Sequence, residues 1–363
     1  FFLMIRRPPR STLFPYTTLF RSLQDRQMVE AFVQRIEINP ETKTGEIILI
    51  ADLADAYREG STREPIGDSL VLMDQEVHNS VQRAAIEARG AGATVLTFPH
   101  DDFAQLEALL RRHARAHDHV MTALDGVYSM LGTYLDLPRY EELARRFGAH
   151  LYIDDAHGFG VVGPLGKGIV AHHQTGYDNI IYVASLEKGL ASLGGFVVVP
   201  REARDYFRFN SYTYTFSGQL PPPYLASALC ALDVLEHEGE QRRARLRGLI
   251  LHVKHEIQQM GFEVIGEKQP FPLILVKVGE LRQGPAISRF FYDEGIHILT
   301  VGFPVVPLSR GAMVRIALSA SHTDPQVEQL LAAFRKLRQT RSAGLEQSRQ
   351  HENDQHSSGS VAA

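Results

Sequence analysis

Short apolar runs alternate with amphipathic segments through the middle of the chain. Six runs bounded by turn-forming residues predict buried strands at Ser69–Met73, Thr94–Phe98, Val120–Leu124, His150–Asp154, Ile180–Ala184 and Phe196–Val199. Between them, apolar residues at spacings of three and four predict helices at Ser80–Arg89, Phe103–Ala116 and Leu137–Phe147. Gly90 and Gly148 follow two of these helices, where we expect left-handed caps. The alternation predicts an α/β fold with a mainly parallel sheet and helices on both faces.

The pattern changes after the three prolines at 221–223. Two long helices are predicted at Tyr224–Glu238 and Arg242–Met260, and the second has a basic exposed face. Three short apolar runs then predict a smaller mixed sheet, closed by a further helix; these elements are Leu273–Val278, Ile296–Leu299, Val314–Ala317 and Asp324–Arg338. The sequence therefore predicts a smaller C-terminal α+β domain.

The two ends of the chain differ from the middle. Residues 1–22 resemble translated adapter sequence and are expected to be an artefact, and residues 23–66 form an unclear N-terminal remnant. Within that remnant, Glu46–Ala51 could form a strand and Asp52–Tyr57 a short helix. We expect a large domain over 67–218, an interdomain helix with the small domain over 219–340, and a disordered polar tail over 341–363.

Composition excludes several classes of protein. The chain has 363 residues, 44% of them hydrophobic and 22% charged, with a net charge of −4. This balance predicts a folded protein without a nucleic-acid surface. The single cysteine excludes an intrachain disulfide, and no apolar run reaches the length of a membrane span. The sixteen histidines include no H-E-x-x-H motif, so we expect no metal. We also expect a cytoplasmic protein.

Four residues carry the candidate chemistry. Asp154 ends a predicted strand, where α/β sheets bind ligands, and Lys188 follows the next strand beside glycines that could desolvate its amine. His78 could stack on an aromatic ligand, and Arg315 lies in an apolar strand, where it needs an anionic partner. Taken singly, these residues also fit a turn acid, a loop lysine, a helix-cap histidine and a structural ion pair.

Taken together, the four residues match the needs of pyridoxal 5′-phosphate (PLP). This cofactor requires a lysine for covalent attachment, a carboxylate beside its ring nitrogen and a flat contact over the ring. Its amino-acid substrates also require a cation for their carboxylate.

The chain from about Gly67 to Arg338 resembles the α-oxoamine synthase family of fold-type I PLP enzymes, within the aminotransferase class I/II superfamily. Six stretches carry this resemblance in the expected order: Asp74 with His78, Gly126–Gly132, Tyr152–Gly168, Ser185–Phe196, Thr215–Pro223 and Val314–Thr323. The resemblance implies a PLP-transferase fold with a seven-stranded type of sheet and a smaller C-terminal domain.

The resemblance also implies how the ring of PLP would be held. Lys188 would bind PLP covalently, and Asp154 would pair with the protonated ring nitrogen. His157 would contact the ring hydroxyl, and His78 would stack on the ring face.

Four further positions complete the implied site. Ser129 would lie near the cofactor hydroxyl and Ser185 near its phosphate. Arg315 would bind the substrate carboxylate. Because family active sites lie at a dimer interface, Ser217 would approach the phosphate from the second subunit of a homodimer.

The implied reaction condenses an acyl-CoA, or another acyl thioester, with an amino acid, and releases carbon dioxide to give an α-amino ketone. Two alternatives stay open: a PLP-dependent aminotransferase of class I/II, and an inactive PLP-fold protein truncated at its N-terminus. The second alternative is motivated by departures from the family pattern. Glu187 stands where a small residue is usual, Ser217-Gly218 replaces a Ser-Thr pair, and 23–66 contains no phosphate-cradling turn.

Overall fold

A computed structural model of the chain describes residues 35–38, 45–48, 68–211, 214, 217–266, 269–302 and 308–340. The predictions for 1–22, for Asp52–Tyr57 and for the tail at 341–363 lie outside these residues. Of the predicted strand Glu46–Ala51, the first part is described, and it lies in β2 (Gly45–Ile48), which pairs antiparallel with β1 (Arg35–Ile38).

The main sheet has six strands within the described residues, and five adjacent strands of it are parallel. Its strands are β3 (Ser69–Asp74), β4 (Thr94–Phe98), β5 (His119–Asp125), β6 (His150–Asp154), β7 (Ile180–Ser185) and β8 (Gly195–Val198). They lie in the order β4-β3-β5-β6-β7-β8, and only β8 runs antiparallel to its neighbour. Apolar residues fill these strands because a parallel sheet is covered on both faces.

Helices accompany this sheet, and the periodicity predicts the first three of them. They are α1 (Asn79–Gly90), α2 (Phe103–His113), α3 (Leu137–Phe147), α4 (Ile169–His173) and α5 (Arg204–Asn210). Helix α3 has the end residues that favour a helix at this place. Proline occupies its first turn, and Gly148 caps its C-terminus in the left-handed conformation at φ 66°. The sequence-based expectation for Gly90 is wrong. Helix α1 includes Gly90, and the left-handed conformation falls on Gly92 at φ 102°.

The C-terminal part builds a second core against an antiparallel sheet. Its helices are α6 (Pro222–His237), α7 (Gly239–Gln259), α8 (Gly284–Asp293) and α9 (324–340), and its strands are β9 (Glu263–Ile265), β10 (Leu273–Gly279), β11 (Leu299–Val301) and β12 (Ala312–Ala317). The strand order is β11-β12-β10-β9, with every pairing antiparallel. The prediction of a mixed sheet is therefore wrong, and the strand expected at Ile296–Leu299 begins three residues later.

Parallel pairing fixes the place of the candidate site. Because β3, β5, β6 and β7 point the same way, their carboxyl ends lie along one edge of the sheet. Asp74 ends β3, Asp125 ends β5, Asp154 ends β6, and Lys188 follows β7 by three residues. The register places Asp125 directly opposite Asp154. The fold thus places three carboxylates and one amine at the ends of four strands that neighbour one another in the sheet.

Candidate active site

Lys188 lies in a tight loop that packs against the turn after β6. The loop closes on itself because the amides of Leu186 and Ser192 donate to the carbonyls of Gly194 and Leu186, each at 2.9 Å. A side chain at Gly189 would lie 2.4 Å from the carbonyl oxygen of Phe159, so only glycine permits this approach. The close backbone contact brings Lys188 beside the turn that carries Asp154 and His157.

Partial burial of Lys188 favours a reactive amine. Partial desolvation lowers the pKa of Lys188, and the positive charge of Arg315 lowers it further. The carboxylates of Asp154, Asp125 and Glu187 oppose that shift. A lowered pKa leaves more of the amine unprotonated near neutral pH, which is what a nucleophilic lysine needs.

Asp154 and His157 lie in one turn at the end of β6. One Asp154 carboxylate oxygen accepts the backbone N–H of Ala156 at 3.0 Å, which holds the side chain at the strand end. Burial lowers the pKa of His157 to about 3, and the charges of Lys188, Arg315 and His78 add to this effect. The imidazole of His157 is therefore neutral at ordinary pH, and its ring packs edge-on against Phe271 at 6.4 Å between centroids.

His78 caps helix α1 and keeps its ring exposed. Its Nδ1 accepts the backbone N–H of Ser80 at 3.3 Å and contacts the Ser80 hydroxyl at 2.8 Å. This contact fixes the ring orientation and places the proton of the neutral ring on Nε2. The backbone N–H of His78 donates to both carboxylate oxygens of Asp125, at 3.2 and 3.0 Å.

Arg315 projects from β12 of the C-terminal sheet toward the main sheet. One guanidinium nitrogen donates to the carbonyl oxygen of Ser129 at 3.4 Å, a long hydrogen bond. Its Nε is buried and has no hydrogen-bond partner among the described residues. A buried, unsatisfied donor on a cation costs free energy, so this atom fits an anionic ligand.

The structure brings together Lys188, Asp154, His157, His78 and Arg315, whose charges act on one another. Ser129 lies in the loop after β5 and is joined to this group by Arg315. Ser185 ends β7, and its hydroxyl accepts the N–H of Glu187 at 3.1 Å. Ser217 occupies an exposed position before α6, and its role across a dimer interface stays a prediction.

Sequence reasoning missed Asp125 and the role of Asp155. Asp125 is buried at the end of β5, and burial with the nearby Asp154 charge raises its pKa to about 8. Asp155 is fully buried and accepts the N–H of Ile169 and the hydroxyl of Tyr182, both at 2.7 Å. The available signal was the same for Asp125 as for Asp154, an acid at the end of an apolar strand.

Comparison with known proteins identifies the family. The sequence profile described as aminotransferase class I and II matches residues 64–334. The chain is 34% identical over 283 residues to 8-amino-7-oxononanoate synthase of Marinobacter nauticus, covering 77% of this chain and 68% of that protein. It is 30% identical over 265 residues to serine palmitoyltransferase of Bacteriovorax stolpii, covering 73% of this chain and 61% of that protein.

The solved structures agree with the sequence relatives. The serine palmitoyltransferase of Sphingomonas wittichii superposes with a TM-score of 0.70 at 27% identity, covering 77% of this chain and 68% of that one. The chain spans about three fifths to two thirds of the length of these relatives. The chain therefore belongs to the aminotransferase class I and II family of fold-type I proteins and, within that family, to the α-oxoamine synthases.

Within the described part of the chain, no helix has both the length and the apolar character that a membrane crossing requires.

Proposed function

We propose that this chain is a PLP-dependent enzyme that condenses an amino acid with an acyl thioester such as acyl-CoA. Carbon dioxide and the free thiol leave, and the product is an α-amino ketone. The observation that carries the proposal is the convergence of Lys188, Asp154 and Arg315 from three strands on one site, with the Nε of Arg315 buried and unsatisfied.

The donor set fits PLP. The amine of Lys188 has a lowered pKa and would attach covalently to the aldehyde carbon of the cofactor. The carboxylate of Asp154 would hold a proton on the ring nitrogen, and the neutral imidazole of His157 would hydrogen-bond the ring hydroxyl. The exposed ring of His78 would stack on the cofactor. When bound, PLP supplies an electron sink that stabilises negative charge at the substrate Cα.

The remaining residues would bind and orient the reactants. The guanidinium of Arg315 would bind the carboxylate of the amino acid through its planar fork, which satisfies the buried Nε. The hydroxyls of Ser129 and Ser185 would donate to the cofactor hydroxyl and phosphate. Since a carboxylate that is about to leave must be held in a fixed orientation, we expect Arg315 to act before carbon dioxide is lost.

The proposed assembly is a homodimer in the cytoplasm. Five large apolar side chains are exposed around helices α5 and α6: Tyr206, Phe209, Tyr214, Tyr224 and Leu225. An exposed apolar patch of this kind is typical of a protein interface. In such a dimer, Ser217 would reach the cofactor phosphate of the partner subunit.

The test of the reaction is a coupled measurement of thiol and carbon dioxide. The purified chain, loaded with PLP, is given a panel of amino acids and acyl-CoA thioesters of different length. We expect free CoA and carbon dioxide in equal amounts, and only when both substrates are present. Transfer of the amino group to a keto acid without release of CoA would instead assign an aminotransferase.

Asp154→Asn provides the matched variant. Asparagine keeps the shape of the side chain but cannot hold the proton on the ring nitrogen, so we expect PLP to stay bound while turnover falls about 100-fold or more. The amounts of bound PLP and of CoA released per minute give the two readouts. Full turnover in this variant would contradict the pairing of Asp154 with the ring nitrogen.

A further inference from the structure

The loop that carries His78 is held at every backbone amide. In the segment 75–78, the N–H of Gln75 donates to the carbonyl of Phe98 at 3.1 Å, and the N–H of Val77 donates to the carbonyl of Asp74 at 3.4 Å. The N–H of Glu76 donates to the buried carboxylate of Asp74 at 2.8 Å. With the N–H of His78 bound to Asp125, the loop has one fixed course.

Asp125 is the point where this loop meets the candidate site. Its carboxylate is buried at the end of β5, and its Cα lies opposite that of Asp154 in the neighbouring strand. Both of its oxygens accept the N–H of His78. Asp125 thus lies next to Asp154, which is proposed to bind the ring nitrogen. It also binds the backbone of His78, which is proposed to stack on the ring face.

A buried acid beside Asp154 is a costly way to satisfy one backbone amide, because it must either give up the water around its charge or take up a proton. The nearby charge of Asp154 and the loss of water both disfavour the ionised form of Asp125. A main-chain carbonyl could accept the same hydrogen bond without placing a second acid beside Asp154. The cost is explained if the carboxylate sets a geometry that the site requires.

We propose that Asp125 is a positioning residue, which binds the His78 backbone from the end of the strand beside Asp154 and thereby sets the position of the imidazole that is proposed to stack on PLP. The proposal rests on the proposed function, because it assigns His78 to the face of PLP. The ring itself is fixed from its other side, since Nδ1 accepts the N–H of Ser80. Asp125 thus holds the backbone of His78, and Ser80 orients its imidazole.

We expect the effects of Asp125 and His78 on PLP binding to be coupled. If Asp125 acts through the ring of His78, its removal weakens PLP binding only while that ring is present. The test compares Asp125→Ala, Asp125→Asn, His78→Ala and the double variant Asp125→Ala with His78→Ala, using equilibrium dialysis to measure the Kd of PLP. We expect Asp125→Ala to raise the Kd about 10-fold, and Asp125→Asn to raise it less, because the amide oxygen still accepts the hydrogen bond.

The double-variant cycle separates positioning from general destabilisation. In the His78→Ala background, we expect Asp125→Ala to change the Kd of PLP less than 2-fold. Asp102→Ala is the matched control, because Asp102, like Asp125, accepts a backbone N–H, but it is that of Gln105 in the first turn of helix α2, at 2.9 Å. It should lower the melting temperature and leave the Kd unchanged. Independent, additive effects of Asp125→Ala and His78→Ala would overturn the proposal.

A second measurement works without PLP. In apoprotein labelled with ¹³C-histidine, we expect the imidazole resonance of His78 to move in Asp125→Ala and to stay in place in Asp102→Ala. An unmoved His78 resonance in Asp125→Ala would overturn the proposal whatever the cofactor does. Failure of the proposed function looks different: the wild-type chain and Lys188→Ala would then bind PLP equally or not at all, while the resonance of His78 still reports on Asp125.

Discussion

Each residue of the site has a property that its neighbours create. Lys188 has a lowered pKa because the surrounding protein partly desolvates it, and the same surroundings keep His157 neutral. Arg315 lies among apolar neighbours on β12, and its buried, unsatisfied Nε is suited to an anionic ligand. The chemistry therefore depends on the contacts of these residues as much as on their types.

Arg315→Lys tests the amino-acid site. Lysine keeps the positive charge but loses the planar fork, so we expect the KM of the amino acid to rise about 10-fold or more. The KM of the acyl donor should change less than 2-fold, and steady-state CoA release measures both. Arg245→Lys is the control, because Arg245 is an exposed partner of Asp324. Equal increases in both KM values would place Arg315 outside the amino-acid site.

The sequence identified the residues whose types already indicate chemistry. Lys188, Asp154 and Arg315 were selected because their combination with His78 matches the needs of PLP, whereas each residue alone also fits an ordinary structural role. Asp125 ends an apolar strand as Asp154 does, but its contact with the backbone of His78, 47 residues away in the chain, could not be predicted. Long-range backbone contacts of this kind leave no local pattern.

At the scale of elements, Asp155 joins three pieces of the fold. Its carboxylate lies just after β6, accepts the N–H at the start of α4 and accepts the hydroxyl of Tyr182 on β7. Side chains at Gly126, Gly158 or Gly168 would lie within 2.4 Å of this carboxylate, so the surrounding backbone closes directly upon it. Asp155 thereby anchors the turn that carries Asp154 and His157.

Asp155 also makes stability depend on pH. Burial raises the pKa of Asp155 to about 7, whereas in the unfolded chain it has the ordinary value near 4. The folded state therefore binds more protons between these values, and the stability that Asp155 contributes falls as pH rises from about 4 to about 7. Asp155→Asn cannot ionise and removes this dependence.

Urea unfolding of the apoprotein at several pH values gives the measurement. The free energy of unfolding of the wild type, relative to Asp155→Asn, should fall with pH by on the order of 1 kcal/mol per pH unit within this window. Asp125 ionises in both proteins, so its contribution cancels in the comparison. A difference that stays constant with pH would show that Asp155 does not titrate in the folded chain.

Elements with a continuous apolar pattern were predicted well, and short edge elements were not. The buried runs of β4 and β6 match the prediction at both ends. Strand β11 has three residues, and Leu299 at its start is 57% exposed, so no buried run marks it in the sequence. Helix α8 was missed because it begins at Gly284-Pro285, a pair that is more typical of a turn.

At the scale of the whole molecule, two cores meet at the site. The main sheet supplies the residues proposed for the cofactor, and β12 of the C-terminal sheet supplies Arg315, which reaches back to Ser129. The exposed apolar side chains around α5 and α6 supply the surface proposed for a second copy. We therefore expect the arrangement of the two cores, and of two chains, to control activity as well as stability.

Light scattering of the protein as it elutes from a size-exclusion column tests the dimer. We expect the wild type to have twice the mass of one chain, and the combined variant Tyr206→Glu with Phe209→Glu to have the mass of one chain, because buried carboxylates destabilise an apolar interface. Ile86→Glu is the control, since Ile86 is also exposed but lies on α1. A wild type with the mass of one chain at micromolar concentration would contradict the proposed homodimer.

The central claim is that the amine of Lys188 holds PLP. The most direct measurement is to add PLP to the purified chain, reduce the complex with borohydride, digest it and locate the attached pyridoxyl group by mass spectrometry. The account predicts one modified peptide, which contains Lys188, and no modification at that peptide in Lys188→Ala. Attachment at another lysine, or no attachment to the wild-type chain, would contradict it.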